Sequence, residues 1–353
     1  MFKHINNIQK TGIIISKKYD ILLTNNKISI LSKLSNENII ELEFSNIINC
    51  NIYENILLVN NNFQGEKTIL YLEGNFNLEQ IKTLRDSNVI LIHNTIISRV
   101  ISDNYQNKYL AWFDIPTKQY VWKKEYEFDN IFFSSVAIFI YSFHSISQIS
   151  HNGEQVWQSD LSPYKWHQFD GPKPARIHQI VGISENILLV WMAGEQLLGL
   201  DIATGKVFWK IDFAPYFHIT KWFTGSYYWN IQNHKLYLLK YLYYFEIDLA
   251  TQEVKILWQN PEESYSITHC CYTDEYVYFV ASGSELGIEI LGTFNRLSLT
   301  IDWLESLTMP RLDSYSYVSF HQAPQVDGDR LYVLDSGGTL HIFEKQSSIQ
   351  NLI

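Results

Sequence analysis

Short runs of alternating apolar and polar residues cover the chain, and no stretch sustains the 3.6-residue period of an amphipathic helix. The clearest run is Leu197-Leu198-Gly199-Leu200-Asp201-Ile202-Ala203-Thr204-Gly205-Lys206-Val207-Phe208-Trp209. It predicts a strand, a tight turn and a return strand ending on a tryptophan. The Asp201 carboxylate and, more weakly, the Thr204 hydroxyl can bond the turn amides, and Gly205 supplies the positive φ that such a turn needs. Trp209 is then placed to pack between neighbouring sheets.

The pattern repeats. Tryptophans close similar hairpins at Trp122, Trp157, Trp209, Trp258 and Trp303, in steps of 35, 52, 49 and 45 residues. Towards the N-terminus the hairpins persist without tryptophan, over 27–31 with 39–44 and over 68–72 with 80–84. A further strand precedes each hairpin. Its sequence Glu-Asn-Ile-Leu-Leu-Val occurs at 54–59 and again at 185–190, with cousins at 275–280 and 329–334. Each unit therefore holds three or four short strands in about 45 residues, the period of a propeller blade.

The segment Asp201-Ile202-Ala203-Thr204-Gly205-Lys206-Val207-Phe208-Trp209 resembles the tryptophan-docking repeat of the pyrroloquinoline-quinone-like (quinoprotein-type) β-propellers, Asp-x-x-Thr-Gly-x-x-x-Trp. The units ending at Trp122, Trp157 and Trp258 match it in part. The resemblance implies an all-β propeller of about eight four-stranded blades. Outer strands are expected at Leu42, Leu84, Trp122, Trp157, Trp209, Trp258 and Trp303. A last unit runs from about 318 and needs residues 2–7 to complete it, which pairs the N- and C-terminal strands and closes the ring. Seven blades is the alternative, and the whole of 1–353 is read as a single domain.

Composition agrees with β structure: 46% of residues are hydrophobic and 15% aromatic. A net charge of −10 argues against a nucleic-acid backbone or an anionic membrane as partner and is compatible with a basic protein. The N-terminal residues show no secretory pattern, no apolar run is long enough for a membrane helix, and Cys50, Cys270 and Cys271 make no disulfide framework. A cytoplasmic monomer is the resulting expectation.

Candidate chemistry is sparse. The resemblance implies enzymes with a disulfide between adjacent cysteines beside the quinone, and Cys270-Cys271 are adjacent. Read on a regular strand, however, they point to opposite faces and are expected as two reduced thiols. His178, His218, His269 and His321 recur at similar places in four units and are read as channel-lining, with no metal and no cofactor expected. No paired carboxylates, nucleophile elbow, phosphate loop or zinc spacing appears. Asp114, Asp201 and Asp248 belong to turns. The aromatic run 222–229 is read as packing between blades.

Two insertions interrupt the repeat. The first, 161–176, carries Tyr164, Trp166, His167, Phe169 and Asp170; the second, 307–317, carries Arg311, Tyr315 and Tyr317. Aromatic and arginine-bearing loops on a stiff scaffold suit protein interfaces. The expected function is a non-catalytic protein-binding scaffold, in its most specific form an immunity (antitoxin) protein that blocks a toxin. The alternatives are a quinone-dependent or carbohydrate-active propeller, and an assembly factor resembling the outer-membrane barrel-assembly propellers.

Overall fold

The computed structural model describes the strand backbones between residues 2 and 101. With side chains it describes 95–100 and 107–345, except 118, 167–170, 214–229, 241–242, 262–263, 312–315, 321 and 338; of 167 and 168 it gives the backbone. The chain divides into two compact units, Met1–Asn49 with Phe223–Ile353, and Cys50–Trp222. All regular structure in the described residues is β, arranged as eight four-stranded sheets and one two-stranded hairpin.

The unit Cys50–Trp222 contains four of these sheets in chain order. Its last sheet shows the plan: Ile177–Ser184, Ile187–Met192, Gln196–Asp201 and Val207–Asp212 run as an antiparallel meander. The other unit also has four, including Tyr265–Tyr272, Tyr276–Gly283, Ile288–Asn295 and Thr300–Thr308. Its last sheet, Gln325–Asp327, Arg330–Leu334 and Leu340–Lys345, gains its fourth strand from the N-terminus, where Phe2–Ile8 pairs antiparallel with Leu340–Lys345. Eight four-stranded blades, rather than seven, are what the chain builds. The recurring Glu-Asn-Ile-Leu-Leu-Val segments and their cousins fall on second strands, such as Ile56–Asn60, Ile187–Met192, Tyr276–Gly283 and Arg330–Leu334. Ile187–Met192 and Tyr276–Gly283 are buried along most of their length, which is why they read as nearly unbroken apolar runs.

In every one of the eight sheets the register between third and fourth strands slips by one residue. In the last sheet of Cys50–Trp222, Gly199 faces Trp209 and Leu200 faces Val207, so Phe208 is the extra residue of a bulge. Val121 before Trp122 and Val156 before Trp157 are extra in the same way, and all three bulged residues are more than half exposed. The bulge turns the outer strand and points the tryptophan along the sheet face, while blunting an edge open to pairing. This register corrects the sequence reading of the first two sheets. The positions equivalent to tryptophan are Ile40 and Lys82, directly after the extra Ile39 and Ile81, not Leu42 and Leu84. Leu42 and Leu84 do lie on fourth strands, two residues farther on.

The turns behave as the sequence predicts. Asp201 accepts from the Thr204 hydroxyl at 2.5 Å, and the Gly205 amide bonds Asp201 O at 2.8 Å. Asp114 accepts from Thr117 N at 2.9 Å, Asp248 from Thr251 N at 2.9 Å, and Asn295 does the same for Leu297 and Ser298. These side chains are turn caps. The backbone amides of Thr251 and Ala250 hold the Asp248 carboxyl below its usual range even against its desolvation.

Candidate functional site

In the unit Cys50–Trp222 the first insertion folds as a hairpin, Lys165–Gln168 with Gly171–Pro174. Its base is pinned at several points. Leu161 N donates to His144 O at 2.7 Å, Ala175 N to Tyr164 O at 2.7 Å, and Gln196 Nε2 to Lys165 O at 2.8 Å. Trp166 sits against Gly194, whose φ of +80° and missing side chain both serve this approach. Tyr164 and Trp166 are half-buried on the hydrophobic core, and burial pushes the Tyr164 hydroxyl up. Both therefore anchor the insertion with part of their surface. His167 pairs with Pro172 along the hairpin backbone, and Phe169 and Asp170 lie outside the described residues.

The side chains that this scaffold presents are Phe143 and Arg176. Phe143, in the loop between second and third strands of the preceding sheet, is 56% exposed, with the Arg176 guanidinium 4.7 Å from its ring centre. Arg176 makes no ion pair among the described residues. Neither residue was picked out from the sequence as a site. The available signal was an aromatic set in the polar loop Ser142-Phe143-His144-Ser145, where strand packing has no use for it.

The unit Met1–Asn49 with Phe223–Ile353 repeats the device. Beyond Thr308 the second insertion turns back: Met309 N donates to Gly287 O at 2.8 Å and Val318 N to Pro310 O at 2.9 Å, and Arg311 bridges Tyr317. A side chain on Gly287 (φ +79°) would meet the Tyr317 ring at 2.5 Å, so the tyrosine is seated on that loop. Arg311 stacks over Tyr317 at 5.4 Å, and the neighbouring Leu286 is 88% exposed. The structure thus brings Arg311 and Tyr317 together, with Leu286 as the residue sequence reasoning missed; Tyr315 lies outside the described residues. On the strand that follows this loop, Glu289 is buried. Burial, opposed by the Phe320 amide and the Ser282 hydroxyl, pushes its carboxyl up to about 7. On the far side of Phe320, Asp335 and His341 form a buried 2.9 Å pair. Burial would raise Asp335, but the His341 bond and backbone amides override it and hold the carboxyl low.

His178 and His269 stand on the first strands of their sheets; His218 and His321 lie outside the described residues. His178 is exposed on its strand, yet partial desolvation by its surroundings and the Arg176 charge lower its pKa, which favours the neutral imidazole. Among the described residues no three His, Cys, Asp or Glu side chains converge on a metal position. Cys270 and Cys271 are free thiols that enter different core layers. Cys270 is fully enclosed and donates to Leu239 O at 3.2 Å; Cys271 packs beside Tyr278 and Trp303. Desolvation raises both thiol pKa values, far out of the reactive range for Cys270. The aromatic run 222–229 lies outside the described residues.

Residues 142–222 match the family described as outer membrane protein assembly factor BamB, so the repeat resemblance drawn from Asp201 to Trp209 holds for that stretch. No curated protein matches the chain. Many solved structures resemble it, among them three that match over nearly its whole length. BamB from Moraxella catarrhalis is 11% identical, with 98% of each chain covered and a TM-score of 0.61. Sqt1 from Saccharomyces cerevisiae is 10% identical, again with 98% of each covered, at 0.62. The computationally designed Ika8 protein is 13% identical, with 95% of this chain and 96% of that one covered, at 0.63. Identities this low speak for the fold alone: the chain is a β-propeller.

Proposed function

We propose that this chain is a non-catalytic, single-domain propeller working as a protein-binding scaffold, monomeric and cytoplasmic. The observation that carries the reading is the construction of the two insertions. Each seats an aromatic ring on a positive-φ glycine and stacks an exposed arginine on an aromatic. Loops fixed in this way lose little entropy on binding, and planar arginines with aromatics are the side chains that dominate interface energetics. Immobilised protein should capture a stoichiometric protein partner from native lysate, and Phe143→Ala/Arg176→Ala should capture at least about tenfold less. Capture of nothing by the wild type rejects the binding class.

The net charge of −10 supports a finer reading, an immunity protein that covers a basic toxin. Co-expression with the product of a neighbouring reading frame tests it: a toxic product whose toxicity this chain does not relieve removes the reading. A second reading, an assembly factor, is favoured by the family match over 142–222 and by the likeness to BamB. It predicts capture of a membrane-protein component rather than a soluble toxin.

A further inference from the structure

Asn152-Gly153 is the one Asn-Gly step in the chain, and the fold sets it where contacts between two neighbouring sheets converge. It lies in the turn between Ser145–Ile149 and Gln155–Asp160. From the preceding sheet the Trp122 ring covers Gly153, and its indole N–H donates to His151 O at 2.7 Å. The Tyr126 hydroxyl donates to Gly153 O at 2.6 Å. The residues on either side of Asn152 are therefore held, but Asn152 itself is exposed and makes no hydrogen bond among the described residues. The peptide unit joining it to Gly153 is tied at one point, where the Gly153 amide donates to Ser150 O at 2.9 Å.

We propose that Asn152 is a site of self-deamidation, and that the isoaspartate formed there loosens the seat of Trp122. The Gly153 amide gives its proton to hydroxide, and the nitrogen attacks Cγ of Asn152. The new N–Cγ bond closes a five-membered succinimide, and the carboxamide nitrogen takes a proton from water and departs as ammonia. Water then adds to either ring carbonyl and breaks its bond to the ring nitrogen, giving aspartate or isoaspartate. Water is the only reactant consumed, and the exposed side chain meets it directly. Glycine favours the attack because no Cβ shields its nitrogen. The obstacle is the bond to Ser150 O, and a single turn hydrogen bond retards the step by about tenfold at most. The peptide unit can turn with the Cα atoms of Asn152 and Gly153 in place, so Trp122 and Tyr126 keep their hold meanwhile. Isoaspartate carries the chain through the side-chain carbon. It thus inserts one backbone atom between the His151 carbonyl and Gly153, the two groups that together receive the indole. Aspartate leaves that spacing unchanged.

Ageing the full chain in mildly alkaline buffer, followed by peptide mapping with mass spectrometry, tests the site. Asn152 should gain one mass unit and one negative charge, partly as isoaspartate labelled by an isoaspartyl methyltransferase. Its rate should lie within about tenfold of that in the urea-denatured chain. Absence of conversion, or a folded rate slower than this, overturns the proposal, as does the same acidic species arising in Asn152→Ser. Hydrogen exchange of the isoaspartate fraction, separated by anion exchange, tests the seat: the Trp122 indole N–H should exchange at least about tenfold faster than in fresh protein. Asn152→Asp carries the charge without the added backbone atom and should keep the protection of fresh protein. Equal loss in Asn152→Asp, or unchanged exchange in the isoaspartate fraction, overturns the loosening.

Discussion

Gly205 lies under the indole of Trp157, whose N–H donates to the adjacent Ile202 carbonyl at 2.7 Å. The preceding sheet docks in the same way: Trp122 covers Gly153 and donates to His151 O at 2.7 Å. Gly153 precedes Trp157 by four residues, and Gly205 precedes Trp209 by four. The hairpin around Gly153 thus receives Trp122 from the sheet before it, and the hairpin around Gly205 receives Trp157 from the sheet that carries Gly153. Gly205→Ala must pay twice, through an alanine at φ +71° and through displacement of the ring. A loss of about 2–4 kcal/mol in urea unfolding is expected. Gly171→Ala, at φ +108° with open space around it, should lose only about 1 kcal/mol. Equal losses would deny that ring seating matters.

The tryptophans should not be equivalent. Trp157 is 9% exposed, and Trp157→Ala is expected to cost about 3–5 kcal/mol. Trp209 is only half-buried, and its indole N–H has no hydrogen-bond partner among the described residues. Its truncation should cost clearly less, and the folded fraction of either variant should keep its partner affinity.

Stability should fall as pH rises through the Glu289 window. An unfolded glutamate loses its proton near its ordinary value of 4.5, whereas burial lets the folded one hold it to about 7. Between these values the native state binds more protons, so each step up in pH favours unfolding. The loss amounts to about 3 kcal/mol at most, and Glu289→Gln should remove that slope from chemical denaturation curves. A slope unchanged in the variant would assign it to other groups.

Thiol chemistry offers a simple check on the cysteine pair. Native protein should react with a disulfide reagent at neither Cys270 nor Cys271 on the timescale in which denatured protein reacts fully. Reducing agent should leave the melting temperature unchanged. A shift on reduction would point to a disulfide between the two.

The strands were legible because alternation and turn chemistry are local. Asp201, Thr204 and Gly205 specify their turn within five residues, and the repeated Glu-Asn-Ile-Leu-Leu-Val marks second strands wherever it occurs. The bulge was not legible, since it is a relation between two strands. For this reason Leu42 and Leu84 stood in for Ile40 and Lys82. The surface was legible only in part. Insertions announce themselves by breaking the period, but Phe143 and Leu286 sit in loops of ordinary length. They join the site because Arg176 stacks on one, and Gly287 places the other beside Tyr317.

The pairing of Phe2–Ile8 with Leu340–Lys345 has a consequence for biogenesis. Phe2–Ile8 leaves the ribosome long before Leu340–Lys345 is made, and at ordinary synthesis rates it waits on the order of tens of seconds for that partner. During that interval it is an unpaired edge. Emergence of Leu340–Lys345, rather than of any earlier blade, is the event that lets this sheet gain its fourth strand.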